Sequence, residues 1–326
     1  MKHISILVIN KALIAAIGNA HYMFKSVNDF LEASGSEPMF HIQLVGLSNQ
    51  VRLSDGIYTI QSDTTIDELG KTDLILIPPV SGDLSESIDV NKEFLPWIKQ
   101  QYANGSQVAS LCVGAFLLAE TGLLDYKWCS THWKAVNEFR FQYPKVRLVN
   151  KVFTDDKGLY TSGGANSYWN LLIYLVGKFS NHEIAIKTSK YFEVDMDRVD
   201  QGSYEIFEGS RLHNDEAIHK VQDFIERQYQ ERLNLEELAE VAQLGQRTFQ
   251  RRFKNAAHHT VNTYIQKVRI EAAKKFLEYD ALSVSEIIYE VGYTDFEAFR
   301  KIFRRETGLS PMRYRLKYQE GTSGQL

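Results

Sequence analysis

The sequence predicts two domains of different class: an α/β domain built on a parallel sheet with helices on both faces, and a following all-α domain with two similar helical units. Three observations carry this prediction. Short apolar runs rich in β-branched residues alternate with helical stretches up to about residue 180, a pattern typical of βα units. No strand signal remains from Asn214 onward. One motif occurs twice in the C-terminal part of the chain, at an offset of 50 residues.

The apolar runs of the first half predict five buried strands. We place them at residues 4–9, 42–45, 74–77, 108–111 and 159–161. The stretch 195–213 is polar and contains glycine, so we interpret it as a linker between a domain of residues 1–194 and a helical domain of residues 214–318. Residues 319–326 are interpreted as a flexible tail.

Composition excludes several classes of protein. The chain has 326 residues, of which 44% are hydrophobic and 24% charged, so it is long enough for two folded cores and too apolar for disorder. No apolar run approaches the roughly 18 residues that a membrane span requires. Two cysteines cannot form a disulfide framework. No cluster of ligands supports a metal site, and we predict no cofactor. We therefore expect a cytoplasmic protein with reduced thiols and no membrane association.

Charge is segregated along the chain. Residues 245–318 contain 15 Lys plus Arg against 8 Asp plus Glu, a net charge of +7. The whole chain carries −4, so the remaining residues must sum to −11. A basic segment on an acidic protein favours a polyanionic partner for that segment alone.

The repeated motif indicates two helical units in tandem. Its two copies are Phe253, His258, Val261 and Tyr264, and Phe303, Gly308, Pro311 and Tyr314. Upstream of each copy a polar residue precedes Glu by three places, Asn234 with Glu237 and Ser283 with Glu286, which predicts a capped helix start. A turn and a second helix follow each capped helix. The second helices carry Phe249 and Phe253, and Phe296, Phe299 and Phe303, toward the core. This is the spacing of two helix-turn-helix units.

The outward faces of the second helices are predicted to contact double-stranded DNA, because such helices can enter the major groove. The base-edge candidates are Arg247, Thr248, Gln250 and Arg251, and Asp295, Glu297, Arg300 and Lys301. We expect four further cations to hold phosphates or to brace helices: Arg252, Lys254, Arg304 and Arg305. Thr294 belongs to the same surface, and its spacing to Glu297 predicts a capping box. A connecting helix over residues 261–277, about 26 Å long, could place the two second helices roughly one DNA turn, about 34 Å, apart.

Two other interpretations of this half remain open. The aromatic residues also suit the core of a helical interaction domain whose basic residues are merely solvated. The other interpretation is an oligomeric scaffold that does not bind DNA.

Residues 214–315 resemble the AraC/XylS-type DNA-binding domain. The resemblance rests on Arg251-Arg252-Phe253-Lys254, Arg269-Ile270-Glu271-Ala272-Ala273, Gly292-Tyr293-Thr294-Asp295, the run from Phe299 to Arg304, and Gly308-Leu309-Ser310-Pro311 with Tyr314-Arg315. It implies a bacterial sequence-specific transcription regulator, usually an activator under ligand control, with DNA and RNA polymerase as partners. The first unit departs from the pattern, with His258 where Gly is usual and Val261 where Pro is usual.

The first half contains a candidate elbow at Ser110-x-Cys112-x-Gly114. An apolar strand ends there and an apolar helix begins, so Cys112 would project from the top of the sheet, and the helix N-terminus would lower the pKa of its thiol. This geometry is similar to a nucleophile elbow. His132 lies 20 residues further on, and a second turn that contains Ser162 and Gly163 leads into another apolar helix.

These features resemble the PfpI-type, class I amidotransferase-like superfamily, which implies a flavodoxin-like sheet. The joint arrangement is similar to GlxA-type regulators, in which that fold precedes an AraC-type domain. The resemblance implies a homodimer and a small-molecule effector such as an amino acid or a quaternary amine.

Two departures from the superfamily decide between enzyme and sensor. Residues 11–28 contain no Asp or Glu where its enzymes carry an acid, and Val113 stands where protease-like members have His. The sequence therefore predicts a non-catalytic sensing pocket formed by Cys112, Val113, His132, Ser162 and Gly163. Two alternatives remain: a cysteine-dependent hydrolase or hydratase that uses Cys112 with His132, and a purely structural dimerisation domain. For Cys112 taken alone, a simple buried thiol is a second interpretation. We expect His132 to start a helix or to pack in the core rather than to act as a base.

Overall fold

In the computed structural model, residues 1–53, 56–209, 211 and 213–319 are described. The chain divides into two units, Met1–Asp200 and Gln201–Leu326. Among the described residues, no helix is both long enough and apolar enough to cross a membrane.

The N-terminal unit is built on a seven-stranded sheet in the order β10-β11-β7-β6-β1-β2-β5. Its pairs are parallel except β10 with β11. The strands of this unit are β1 (Lys2–Leu7), β2 (Phe40–Gly46), β3 (Gln50–Leu53), β4 (Tyr58–Gln61), β5 (Thr64–Thr65), β6 (Leu74–Ile77), β7 (Gln107–Ser110), β8 (Trp128–Cys129), β9 (Arg147–Leu148), β10 (Phe153–Asp156) and β11 (Leu159–Ser162). The helices are α1 (Ile14–Ala33), α2 (Leu84–Asp89), α3 (Phe94–Ala103), α4 (Ala115–Glu120), α5 (Val136–Gln142), α6 (Ser167–Phe179) and α7 (His182–Tyr191).

The five predicted strands are confirmed as five adjacent parallel strands of this sheet. Taken in chain order, β1, β2, β6, β7 and β11 lie in the spatial order two-one-three-four-five, which is the flavodoxin-like arrangement. All four residues of β6 and of β11 are buried, because helices flank the sheet and leave these strands no solvent-facing side. The short strands β3 to β5 and β8 to β10 were not predicted, since they lack an apolar run.

The C-terminal unit is helical. Its helices are α8 (Glu216–Gln228), α9 (Leu235–Val241), α10 (Gln246–Ala257), α11 (Val261–Tyr279), α12 (Val284–Glu290), α13 (Phe296–Thr307) and α14 (Pro311–Tyr318). Two hydrophobic cores lie in this unit, and α11 contributes its first half to one and its second half to the other. Each core contains two phenylalanines of a predicted second helix at 0% exposure, Phe249 with Phe253 and Phe299 with Phe303.

The predicted caps are largely as expected. The Asn234 carboxamide oxygen accepts from the Glu237 amide at 2.8 Å, and Ser283 with Glu286 forms a complete capping box. The box predicted for Thr294 is wrong. Asp295 caps α13 instead, with its carboxylate accepting from the amides of Glu297 and Ala298, because the carboxylate is the stronger acceptor at a helix N-terminus.

The predicted linker differs from the structure in its second half. The boundary between the two units falls at Asp200, inside residues 195–213, and Gln201 is already buried at 1% exposure. Polar composition is typical of linkers, but here it belongs partly to a segment that packs through charged and backbone contacts. Of the predicted tail, residues 320–326 lie outside the described part.

Candidate functional site

The elbow at the end of β7 places Cys112 in a strained backbone conformation. Cys112 has φ +56°, in the left-handed region that non-glycine residues seldom adopt. Both of its backbone groups are held by neighbouring strand ends. Its N–H donates to Ser162 Oγ at 3.1 Å, and its carbonyl accepts from Thr131 Oγ1 at 3.2 Å. The surrounding sheet therefore fixes this conformation.

Gly114 allows the elbow to lie directly against the end of β6. A Cβ at this position would be 2.7 Å from the Pro78 carbonyl oxygen and 2.8 Å from that of Ile77. No side chain fits at such distances from backbone, so glycine is required by close approach. The spacing of Cys112 and Gly114 thus serves packing, whatever chemistry the thiol carries.

A cavity of about 750 Å³ opens above the elbow. Its wall combines the segments that follow β1, β6 and β7, which is where ligands bind in open parallel sheets. Cys112, Val113 and His132 line it as predicted. The wall is largely apolar, with charged or polar groups from Asp83, Lys134, Glu138, Asn166 and Tyr168.

Ser162 and Gly163, which the sequence predicted to form the pocket, are not among the residues that line this cavity. Both are buried. Ser162 Oγ accepts the Cys112 N–H, and the Gly163 amide donates to the Val152 carbonyl oxygen at 2.8 Å. The wall contains the next residues of that turn, including Ala165 and Asn166.

The thiol of Cys112 does not have the low pKa predicted from its place before a helix. Burial is the dominant effect and raises its pKa to about 11, although a hydrogen bond with the Val113 backbone opposes the shift. The side chain is only 6% exposed. A buried thiolate loses more hydration energy than the helix end returns. Cys112 is therefore a neutral thiol at physiological pH.

His132 lies at the start of a 3-10 helical turn, Trp133–Ala135, as the sequence indicated. Its Nδ1 accepts from the Lys134 amide at 3.1 Å, so the neutral ring carries its proton on Nε2. Burial and the Lys134 charge lower the pKa of the imidazole. With one nitrogen occupied and the other protonated, His132 is poorly suited to take a proton from a thiol.

Tyr168 is one of several cavity residues that the sequence analysis did not name. Its hydroxyl accepts from Asn19 Nδ2 at 2.8 Å, which ties α6 to α1. Burial raises the pKa of the phenol, so it remains a neutral hydroxyl at the cavity wall. Its position directly after the second predicted turn was the available signal.

The pH dependence of thiol alkylation tests the electrostatics of the elbow. At pH 7.5 a thiol with a pKa near 11 is thiolate in only about one molecule in several thousand, so alkylation of Cys112 by iodoacetamide should be slow. Its rate should rise about tenfold per pH unit up to pH 10. Cys112→Ala, which leaves only the fully buried Cys129, supplies the background rate. Rapid alkylation at pH 7.5 that plateaus near neutrality would contradict a raised pKa.

The two second helices of the C-terminal unit present exposed polar faces. On α10 these residues are Arg247, Thr248, Gln250, Arg251 and Lys254. On α13 they are Glu297, Arg300, Lys301 and Arg304, with Thr294 and Asp295 exposed at its start. All predicted DNA-contact residues are thus accessible to a partner.

Contacts within the helices distinguish some of these side chains from the others. The Asp295 carboxylate is committed to its cap. Glu297 lies 3.6 Å from the Arg300 guanidinium, which also lies 4.5 Å from the Phe296 ring centroid. Phe296 is half-buried, so the prediction that it lies in the core is wrong.

Two arginines are assigned to bracing. Arg252 donates twice to the Asp215 carboxylate, at 2.9 and 2.7 Å, and thereby ties α10 to the start of α8. Arg305 donates to Glu306 and to Gln266 of α11. Arg252 is half-buried, whereas Arg305 remains exposed on α13 despite these contacts.

Metal binding finds no support in the described residues, which contain no group of three or more His, Cys, Asp or Glu side chains that could hold an ion.

Comparison with known proteins gives a family for each unit. Residues 26–177 match the DJ-1/PfpI family, and residues 238–317 match a helix-turn-helix domain. The HTH-type transcriptional regulator GbdR of Pseudomonas aeruginosa is 25% identical over 263 residues, which cover 80% of this chain and 71% of GbdR. The HTH-type transcriptional regulator GlxA of Rhizobium meliloti is 23% identical over 64% of either chain.

The N-terminal fold has a counterpart among solved structures. A ThiJ/PfpI family protein from Pseudomonas syringae superposes with a TM-score of 0.51 at 17% identity, covering 60% of this chain and 75% of that one. The family matches and the regulators to which the chain is similar agree with the geometry above: the chain joins a DJ-1/PfpI-type domain to an AraC-type helix-turn-helix domain and is a DNA-binding transcription regulator.

Proposed function

We propose that α10 and α13 enter neighbouring major grooves of one DNA site. The supporting observation is the division of each helix into a buried aromatic side and an exposed polar side. Arg247, Thr248, Gln250 and Arg251 contact base edges from α10, and Arg300 and Lys301 do so from α13, since Arg and Gln suit guanine and adenine edges. Lys254 and Arg304 hold phosphates. Thr294, Asp295 and Glu297 flank the second contact, with Asp295 orienting α13 through its cap.

We further propose that the cavity above Cys112 binds a small polar effector. Its volume is in the range of ligand sites, and its apolar wall carries a few polar groups that can orient a ligand. His132 offers an Nε2–H donor and Tyr168 a hydroxyl, while Asp83 and Glu138 supply negative charge. Amino acids and quaternary amines have chemistry that suits such a wall.

The effector acts on transcription through a homodimer. Binding shifts the equilibrium between two arrangements of the protomers only by its differential affinity for them. The arrangement that pairs two DNA-binding domains on one operator then favours recruitment of RNA polymerase, so the regulator acts as an activator. The protein carries out this role in the cytoplasm.

Filling the cavity should uncouple the effector from transcription. Val113→Trp places a large side chain in the cavity wall, and Cys112→Ala and His132→Ala remove two polar groups from it. We expect Val113→Trp to abolish effector-dependent reporter expression and each alanine variant to reduce it. Val90→Trp, an exposed position, should behave as wild type. An unchanged response in all three cavity variants would remove the effector from this cavity.

The second candidate function, a cysteine-dependent hydrolase or hydratase, has less support. The Cys112 thiol is neutral, and His132 lacks a free acceptor nitrogen in the tautomer described above. The geometry of the elbow is favourable to a nucleophile, but the protonated state of the Cys112 thiol is not.

A further inference from the structure

Residues 201–209 and Arg211, which we name the clamp, run from α13 of the second helix-turn-helix unit to α8, a helix that shares a core with the first unit. The sequence assigned this segment to a linker. It belongs to the C-terminal unit. From its first residue to its last, it contacts α13, α14, α11 and α8.

The clamp begins against the second helix-turn-helix unit. A Cβ on Gly202 would overlap the Glu306 carbonyl oxygen and lie 3.1 Å from the Thr307 carbonyl carbon, so the clamp backbone lies directly on the end of α13. Two residues of α14 hold the next turn. Tyr318 donates its hydroxyl to the Ser203 carbonyl oxygen at 2.9 Å, and Lys317 donates to the Tyr204 hydroxyl at 2.9 Å.

The middle of the clamp is held by two lysines of α11. Lys267 lies between Glu205 and Glu306, at 3.3 and 3.2 Å, and so joins the clamp, α11 and α13. Lys274, with a side chain only 5% exposed, donates to the Glu205 carbonyl oxygen and pairs with Glu271 at 2.7 Å. Buried charged groups need such partners to offset the loss of hydration.

The clamp ends on α8 and α11, which share a hydrophobic core with the first helix-turn-helix unit. The Phe207 amide donates to Glu271 at 3.1 Å, and its ring packs edge-on against Tyr264 with centroids 5.2 Å apart. Arg211 then bridges two carboxylates of α8, Asp223 and Glu226, at 2.7 Å each.

We propose that the clamp is a positioning element that sets the spacing of α10 and α13 for simultaneous binding in two major grooves. The two units have separate cores that share α11, and the clamp ties them together along a second path. Once α10 or α13 has bound its groove, binding of the other helix is intramolecular. A fixed spacing raises the effective concentration of that second helix at the second groove. The inference rests on the proposed DNA contacts, and it assigns the positioning of α10 and α13 to residues outside those two helices.

The test compares full-length variants on three DNA duplexes. One is the site that the wild-type protein selects from genomic DNA, and the other two have one or the other major-groove segment replaced. Gly202→Val introduces a side chain against the α13 backbone and should release the clamp. We expect affinity for the intact site to fall by about tenfold or more, with less than about a twofold change on either single-segment duplex.

A second variant and a control keep the test decisive. Lys317→Ala with Tyr318→Phe removes donors to the clamp without adding bulk, so it gives the same comparison if Gly202→Val folds poorly. Gly70→Val introduces the same change at a position where an added Cβ would meet nothing but its chain neighbours within 4 Å, and this variant should bind all three duplexes as wild type does. Hydrogen exchange at the Phe207 amide reports release of the clamp independently of DNA.

Faster Phe207 exchange together with selective loss on the intact site supports the clamp. Faster exchange with unchanged affinity overturns it, and so does an equal loss on all three duplexes, which indicates damage to the individual units. Failure of the wild-type protein to select any site contradicts the proposed DNA contacts themselves, and the clamp proposal falls with them.

Discussion

Replacing both Arg247 and Arg251 with alanine is expected to remove most of the preference of the protein for its operator over unrelated DNA. Both side chains are exposed on one face of α10, whose opposite face is anchored by Phe249 and Phe253. An arginine bonded to a base edge contributes about 1–3 kcal/mol of discrimination, roughly fivefold to 150-fold for each residue. The measurement is a pair of binding isotherms, on operator and on scrambled DNA, at one stated salt concentration.

The matched control removes two positive charges elsewhere. Lys92 and Lys99 are exposed on the N-terminal unit, and their double alanine variant should retain the wild-type ratio of operator to scrambled binding. An equal loss of affinity on both DNAs in the Arg247 and Arg251 variant would assign these residues to phosphates instead of bases.

The second large effect is expected from Gly292→Ala, which should destabilise the C-terminal unit by about 3 kcal/mol. Gly292 has φ +78°, and a Cβ there would be 2.5 Å from the Gln230 carbonyl oxygen and 3.0 Å from an Arg269 guanidinium nitrogen. Arg269 is itself fixed, since it donates to the carbonyl oxygens of Tyr229 and Glu231 at 2.7 and 2.8 Å. Neither neighbour can yield without breaking this junction.

The protein contains an internal control for this variant. All four tryptophans lie in the N-terminal unit, so tryptophan fluorescence follows unfolding of that unit, while the ellipticity at 222 nm reports both. Gly292→Ala should shift a helical transition to lower urea and leave the fluorescence transition in place. Wild-type transitions by both probes would show that the turn relaxes around the new methyl group and would contradict the predicted steric conflict.

Much of the fold follows from local sequence patterns. The five apolar runs became the five central parallel strands because a strand buried on both faces needs a continuous apolar stretch. The helix pairs followed from caps that satisfy free amides, as at Asn234 and Ser283. The short strands and the clamp were not predictable this way. Their stability comes from partners distant in sequence, such as Lys274 for Glu205.

The cavity was only partly predictable for a related reason. The strand-to-helix pattern located Cys112 and its elbow, but the pKa of the thiol depends on the balance between a helix end and burial, and burial is a property of the packed domain. The sequence likewise favoured Ser162 and Gly163, whereas the chain turns so that Asn166 and Tyr168 reach the cavity wall. For α10 and α13, the prediction of exposed and buried faces was more complete, because helical periodicity alone decides which side faces solvent.

Selection of genomic DNA by the purified full-length protein, followed by footprinting of the enriched site at stated salt, tests the central claim most directly. We expect one enriched site with base-specific protection in two consecutive major grooves, about one helical turn apart. We also expect the protection to change when the cognate small molecule is added. Weak binding that is independent of sequence and lost at moderate salt would contradict the central claim, because the exposed cations of α10 and α13 would then form only a nonspecific electrostatic surface.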